Sequence, residues 1–592
     1  MSSVERSHQS HQFTHSNTKR RASVVFGSVG KGGLYIPQDF IGAGTSDADE
    51  SLSPAVTGDD EIFEANEANE RSALLSPGPK NSRFRRKSEI ARELLQEERE
   101  LLKDHNLPVY EDEEQLIDAF EEAVLTKKIG ETTALIELKA LIKSSIPLVL
   151  TFLLQNSLST VSVFMVGHLG ATELAAVSMG AMTANITGYA TIQGIATALD
   201  TLCPQAFGAG KYTLVGTYLQ KCSALIIVVM FPILIIWMFF GYDLICLIVP
   251  DKDTAKLSAV YLQYIAPGIP AYILFECGKR FLQAQGVFHI STYVLLIAAP
   301  SNLIMNWLLV QLFGYLGAPM AVAINYWLMA IGLYISTIYF VKPEDTPTGH
   351  HPLICWGGLD LKEAFSNWGK LVNLAIPGLV MLEAEFLAFE ILTLIASYLG
   401  TVALAAQSIG ATMASLTYQV PFALGIASST RIANFLGAGL GGAAKKSTQV
   451  SLVCGLVVSL VNFLALFCFQ TPIAKAFTDD ENVIKTVQNV MWLIALMQIS
   501  DAVNANSAGC LRGQGQTKIG GIINLFSYYV VGLPLSIYLT FYSPIKGTLH
   551  GLWIGSCVAL TIIGGVQSYY AVFADFDHLV DEASKRTNIE GV

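Results

Sequence analysis

Three carboxylates, Glu383, Glu385 and Glu390, stand in one apolar stretch at residues 371–399 that holds no lysine, arginine or histidine. About 20 apolar residues suffice to cross a bilayer. An ionised carboxylate in hydrocarbon is costly, so it must face protein or a water-filled cavity, where it can exchange a proton. A fourth acid, Asp501, lies in another apolar stretch beside Gln498, Ser500, Asn504, Asn506 and Ser507. So polar a helix has to face a cavity or another helix, because lipid offers no hydrogen bonds. Acids grouped without bases inside membrane segments point to a site that binds cations or trades protons across a membrane.

On an ideal helix Glu383 and Glu390 lie nearly on one face, about 10 Å apart along the axis. Glu385 then sits about 140° around the helix from Glu390. Helix geometry by itself therefore pairs Glu383 with Glu390.

The elements that must hold these acids follow from composition. Hydrophobic residues make up 52% of the 592 and charged residues 14%, with a mean hydropathy of +0.46. Residues 1–140 hold 17 basic and 26 acidic residues, leaving 20 and 22 for the remaining chain, too few to solvate a globular surface of that size. The net charge of −11 thus belongs mostly to the head. Twelve apolar segments follow: 144–166, 174–200, 215–240, 255–278, 289–312, 317–341, 371–397, 402–427, 448–470, 484–508, 519–541 and 549–573. Their lengths suit membrane helices. Alternating barrel strands are absent from the pattern.

The longest break, 342–370, divides the segments six and six, and the halves repeat. Ile146-Pro147 recurs as Ile376-Pro377, and Leu174-Ala175-Ala176-x-Ser178-x-Gly180-Ala181 recurs at the same offset as Leu404-Ala405-Ala406-x-Ser408-x-Gly410-Ala411. Gly208-Ala209-Gly210 recurs as Gly437-Ala438-Gly439, and Leu282-x-x-Gln285-Gly286 as Leu511-x-x-Gln514-Gly515, both at an offset one position shorter. Six spans per half is an even number, so the repeats are parallel, related by an axis along the membrane normal. The expected fold is all-α: twelve transmembrane helices in two six-helix bundles around a central cavity that opens alternately to either side. The expected domains are a cytosolic, largely disordered head (1–140), a first lobe (141–341), a cytosolic linker (342–370), a second lobe (371–575) and a cytosolic tail (576–592).

Eleven Lys and Arg in one set of loops, among them Lys211, Lys279, Arg280, Lys370, Arg431 and Arg512, face five in the other set. That excess places the first set and both termini in the cytosol. Asp200 and Arg431 occupy equivalent cytosolic ends of spans two and eight. They are expected to pair as a gate when the cleft closes there. Glu276, beside Lys279 and Arg280, reads as a solvated interfacial acid. The first-half spans that correspond to the acid-bearing ones offer Gln155, Asn156, Ser157 and Ser159 on span one but no carboxylate, so the proton chemistry is expected in the second lobe.

The head carries addresses rather than chemistry. Residues 1–88 have the composition of disorder, with helical patterns at 89–103 and 113–128. Glu70-Arg71-Ser72-Ala73-Leu74-Leu75 fits the acidic dileucine pattern read by adaptors that route membrane proteins to lysosomes or vacuoles. Ser23 and Ser88 follow arginine-rich strings that basophilic kinases prefer. The polar N-terminus shows no apolar leader. The nine cysteines are scattered without CxxC or Cys/His clustering and read as buried hydrophobes. There is no phosphate-binding loop, dinucleotide fingerprint or HExxH, hence no sign of an enzyme, a metal site or ATP-driven transport.

Four strings sharpen the function. They are Gly167-His168-Leu169-Gly170, Ala198-Leu199-Asp200-Thr201-Leu202-Cys203-x-Gln205-Ala206-Phe207-Gly208-Ala209, Arg431-Ile432-x-Asn434-x-Leu436-Gly437-Ala438-Gly439 and Leu511-Arg512-Gly513-x-Gly515. With the six-plus-six layout, residues 141–575 resemble the multidrug and toxic compound extrusion (MATE) family, nearest its eukaryotic, fungal branch. The resemblance implies a V-shaped pair of bundles and a cation-coupled antiporter exporting organic, often cationic, compounds and xenobiotics. It implies an essential acid on span seven, in a string like Met381-Leu382-x-x-Glu385-x-x-Ala388-x-Glu390, and another where Asp501 stands. It thus favours Glu385, Glu390 and Asp501, with Glu383 as an extra, against the ideal-helix pairing. The coupling ion is expected to be a proton, with sodium the alternative, and no cofactor is implied. A lipid or lipid-linked-sugar flippase of similar helix count is the competing reading. Expected partners are small organic cations, the bilayer and an adaptor complex at the dileucine motif, without nucleic acid, for a monomer. The vacuolar membrane is favoured, with the plasma membrane as the alternative.

Overall fold

The computed structural model describes residues 134–166, 171–246, 252–343, 351–477 and 481–588, with isolated positions before 134 and at 169. The dileucine motif, the kinase-type serines and most of the two expected head helices lie outside the described residues. Among the described residues there is no strand.

Among the described residues twelve long helical rods follow one another. In the first half they are α1 (Ala134–Val166), α2 (171–208), α3 (Tyr212–Cys246), α4 (Lys252–Ala284), α5 (His289–Phe313) and α6 (317–340). In the second they are α7 (Gly369–Ser397), α8 (Thr401–Gly437), α9 (Gly441–Cys468), α10 (Glu481–Gln514), α11 (Thr517–Phe541) and α12 (His550–Val572). Among the described residues, eight helical stretches are long and apolar enough in themselves to cross a membrane, one of which joins α5 and α6. Several rods outrun their apolar segments at one end. Hydropathy marks the part that meets lipid, whereas the backbone ladder continues into more polar sequence. One such overrun is at α1, which starts at Ala134 rather than at the expected 144 and so places Glu137 in the first lobe rather than the head.

Two apolar cores organise the rods. One gathers buried side chains from α1 to α6, and the other gathers them from α7 to α12. The division falls inside α7: Leu371, Leu374 and Ala375 belong to the first core, while Ala384, Ala388 and Leu392 belong to the second. α7 crosses α2 closely where Gly194 meets Leu379 and Gly378 meets Thr197. The linker is pinned to α3 by an ion pair between Lys221 Nζ and Glu363 Oε1 at 2.5 Å. That hydrogen bond holds the Glu363 carboxyl below its usual value.

At the end bearing Lys211, Lys370, Arg431 and Arg512, here called the basic end, the two cores meet in a tight seam. α2 and α8 cross there with local two-fold symmetry. A side chain at Gly208 would run into the backbone of Asn434, and one at Gly437 into the backbone of Gln205. The two glycines occupy equivalent positions in the repeats, and so do their two partners. Small residues let helix backbones approach this closely. Gly208→Val and Gly437→Val are each expected to hold the seam apart and cut transport about fivefold or more, as overpacking of about 1–3 kcal/mol implies. Uptake into vesicles holding equal amounts of folded protein checks this, and rates within twofold of the parent would refute it.

The described part of the tail forms a helix. α13 (Phe576–Thr587) is capped by Asp575, which accepts hydrogen bonds from the amides of Asp577 and His578, both at 3.2 Å. It buries Phe576, Leu579 and Ala583. Lysines cover its carbonyl end: Lys211 Nζ donates to Thr587 O at 2.9 Å and Lys370 Nζ to Asn588 O at 2.8 Å. Cations at that end suit the helix dipole.

Candidate functional site

A cavity of ≈ 410 Å³ lies between the two sets of rods, lined from α1, α2, α4, α6, α7, α8 and α10. Its volume is that of a small-molecule site. α7 supplies Leu382, Glu385, Phe386, Phe389, Glu390 and Thr393, a helical stripe with steps of three and four. Glu385 and Glu390 occupy opposite edges of this stripe. The helical angle between them is simply the stripe's width, so no bend at Pro377 is needed to bring both to the cavity. Glu383 does not line it. Its Oε1 accepts from Thr191 Oγ1 of α2 at 3.2 Å. The tertiary structure thus brings together Glu385, Glu390 and Asp501, and sets Glu383 aside. Glu383→Gln keeps that hydrogen bond and is expected to leave transport within about threefold of the parent. A loss as deep as that of Glu385→Gln would reverse the assignment.

Asp501 is only 3% exposed, and its Oδ1 makes no hydrogen bond. It lies close enough to Glu385 for the two charges to repel. Asn504 and Tyr418 flank Glu385. None of these acids has a lysine or arginine within ion-pairing distance among the described residues. The polar residues around Asp501 serve packing instead. Gln498 accepts from Thr417 at 2.9 Å, Asn506 donates to the Ser451 carbonyl at 3.2 Å, and Ser507 donates to Gln567 at 3.2 Å. These bonds tie α10 to α8, α9 and α12, while Gln498 Nε2 and both side-chain polar atoms of Asn504 make none.

The facing wall was not anticipated. Tyr189, Tyr272 and Tyr326 form an aromatic cluster with centroids 4.9 to 5.8 Å apart, and all three line the cavity. Gln193 donates to the Tyr272 hydroxyl at 2.6 Å and Gln155 at 3.3 Å. Repeat register carried a signal: Gln155 is the first-half counterpart of Glu385, and Tyr272 is that of Asp501. Equivalent positions face the cavity from both lobes, one pair acidic and the other neutral. The wide turn of α2, Asn185–Ala190, lies along this wall and gives the cavity Asn185, Ile186, Tyr189 and Ala190. Such turns recur at functional sites.

Two expectations need correction. Glu276 is not a solvated acid: it is 1% exposed and held by Lys279 at 2.9 Å, Arg280 at 2.5 Å and the Gln155 amide at 2.7 Å. Its position near a span end suggested water, but neighbouring rods cover it. Asp200 and Arg431 do not form the expected pair. Asp200 turns into its own lobe, with Oδ1 3.1 Å from Arg280 Nε. Arg431 makes a bidentate pair with Glu137, including Nη2 to Oε1 at 2.7 Å. Both side chains pair with a charge other than the expected one. The partner of Arg431 was hidden because α1 starts earlier than hydropathy indicated.

Sequence comparison decides the family. The MatE family model matches residues 147–308 and again 377–538, the two halves of the repeat. The chain belongs to the MatE family. An uncharacterized transporter of Saccharomyces cerevisiae is 43% identical over 451 residues, which is 76% of this chain and 63% of that protein. The chain therefore spans under two thirds of that relative's length. Protein DETOXIFICATION 16 of Arabidopsis thaliana is 33% identical over 78% of the chain and 92% of its own length. Multidrug and toxin extrusion protein 2 of Mus musculus is 31% identical over 77% of each. The crystal structure of a eukaryotic MATE transporter superposes with a TM-score of 0.70 at 27% identity, over 77% of this chain and all of that one. This MatE protein is an integral multi-pass membrane transporter with twelve helices in two repeats. The yeast relative is named a transporter and the mouse relative a multidrug and toxin extrusion protein.

Proposed function

We propose that this MatE protein exports organic cations from the cytosol in exchange for protons. The observation that carries the reading is the pair Glu385 and Asp501, close enough to repel, with no lysine or arginine within ion-pairing distance among the described residues, facing three tyrosines across the cavity. A substrate cation bound there would neutralise the acids, and its apolar body would rest on aromatic faces. Protons arriving after the lobes rock would displace it. Differential affinity between the two states supplies the drive. The cavity lining contains no lysine or arginine, which speaks against a flippase for anionic lipid headgroups.

In this reading the basic end faces the cytosol, as its lysines and arginines suggest. An acidic compartment would protonate the acids and release cargo, which suits a vacuole, the destination that a dileucine signal at Glu70, Leu74 and Leu75 would also serve. The test is uptake of a fluorescent organic cation by vesicles bearing the full chain, with a pH gradient and a sodium gradient imposed separately. Uptake driven by pH alone is expected. A response to sodium alone would replace the coupling ion, and no response to either would overturn antiport.

A further inference from the structure

The seam at the basic end contains an arginine whose charge the ion pairs leave unused. Arg512, in the last turn of α10, is 4% exposed. Among the described residues no carboxylate lies within 4 Å of it, and its Nε and Nη2 make no hydrogen bond. Arg280 and Arg431, at the same end, both have carboxylate partners. Keeping an unpaired guanidinium away from water is costly. A packing role alone would be served better by an apolar side chain of similar size.

Its surroundings show what the charge is near. The guanidinium lies 5.6 Å over the ring of Phe422, and Phe422 lines the cavity. Helical side chains lean toward their helix's N-terminus, which for α10 is the end away from the seam. Arg512 therefore reaches back toward the cavity floor. On its other side the Arg512 carbonyl accepts a hydrogen bond from Thr201 of α2 at 2.5 Å. The neighbour of Thr201 is Asp200, whose Oδ1 is taken by Arg280 while its buried Oδ2 makes no hydrogen bond. Arg512 is within electrostatic reach of Asp200 across the seam and of Glu385 in the cavity.

We propose that Arg512 is the second lobe's half of a gate at the basic end, attracted across the closed seam by the Asp200 carboxylate of the first lobe from beyond direct ion-pair distance. Asp200 is thus a gate residue, as the sequence suggested, with Arg512 in the place expected for Arg431. Glu385 and Asp200 compete for one guanidinium. While Glu385 is charged it draws Arg512 toward the cavity. A cation bound at Glu385 cancels that pull and leaves Arg512 to Asp200. Loading of the site from the basic end therefore favours closure behind the cargo. Arg512 is a positioning residue: it touches neither cargo nor coupling ion. The gate requires only that the lobes open at alternate ends, whichever ion drives them.

Pulsed electron paramagnetic resonance on the full chain tests it, with the native cysteines replaced and nitroxides on Thr213→Cys and Lys445→Cys. These exposed positions begin α3 and α9, one in each lobe at the basic end. Arg512→Gln and Asp200→Asn are each expected to move the closed-to-open ratio toward open by at least about fivefold, a usual size for coupled sites. Combining them should add nothing further, because they remove one interaction. Arg512→Lys keeps the charge and should stay within about twofold of the parent. Unchanged distances in Arg512→Gln, or single effects that multiply in the double variant, would overturn the gate. Arg512→Met, which relieves a buried charge, is expected to fold. Failure of both Arg512→Gln and Arg512→Met to fold would make the residue structural and also overturn the proposal. Because distance rather than flux is read, a failed antiport reading would leave this outcome untouched.

Discussion

Glu385→Gln and Asp501→Asn are each expected to lower proton-driven uptake at least about a hundredfold, or about 2.8 kcal/mol of lost coupling at about 1.4 kcal/mol per decade. Each variant replaces a cavity carboxylate with a neutral group of the same shape, so a proton can neither be taken up nor released there. The same substitutions are expected to leave the melting temperature unchanged or raise it. Glu385 and Asp501 have no ion-pair partner and sit close enough to repel, so neutralising either one relieves a cost. Functional carboxylates held at the expense of stability behave this way. Glu390 lies at the other edge of the α7 stripe, away from that pair, and Glu390→Gln should fall between these variants and Glu383→Gln. Flux measured in vesicles together with thermal unfolding in detergent separates the effects. Uptake within threefold of the parent in either variant, with gradient dependence retained, would remove that acid from the mechanism.

Glu276→Gln is expected to have the opposite profile, a loss of stability of about 3–5 kcal/mol, the usual cost of removing one partner from a buried ion pair. Glu276 is shared by Lys279 and Arg280, and the fourth member of the cluster, Asp200, reaches only Arg280. Without Glu276, Lys279 keeps the Gln155 carbonyl oxygen at 3.1 Å and the faces of Phe152 and Phe275, which offset only part of a buried ammonium's desolvation. Lys279→Met added to Glu276→Gln should recover part of the loss, since it removes the stranded charge. Thermal unfolding and the yield of monodisperse protein report both steps. A melting temperature within about 2 °C of the parent for Glu276→Gln would show that the cluster contributes little, against the size expected for such a pair.

The two predictions rest on clusters that were legible to different degrees. The acids of the second lobe announce themselves in one dimension, because a carboxylate in an apolar run has few structural explanations. Their choice among Glu383, Glu385 and Glu390 was not settled by helix angle. A lone helix has no marked face until neighbours define one, and here α2 takes Glu383 while the cleft takes the arc from Glu385 to Glu390. The first lobe's cluster was misread because Glu276, Lys279 and Arg280 sit near a span end, where a sequence looks the same whether water or protein lies beside it.

The amino-acid sequence by itself determined the twelve spans, the internal repeat and the placing of carboxylates in the second half. All three depend on local composition and on matching strings, and lipid imposes those constraints segment by segment. Only the tertiary structure decided the rest. It moved the start of α1 to Ala134 and so gave Arg431 its partner Glu137. It turned Asp200 toward Arg280, left Arg512 without an ion pair, and set three tyrosines opposite the acids. Ion pairs form over a few ångströms between rods far apart in the chain, so the partner of a buried charge is fixed by packing that no single segment encodes.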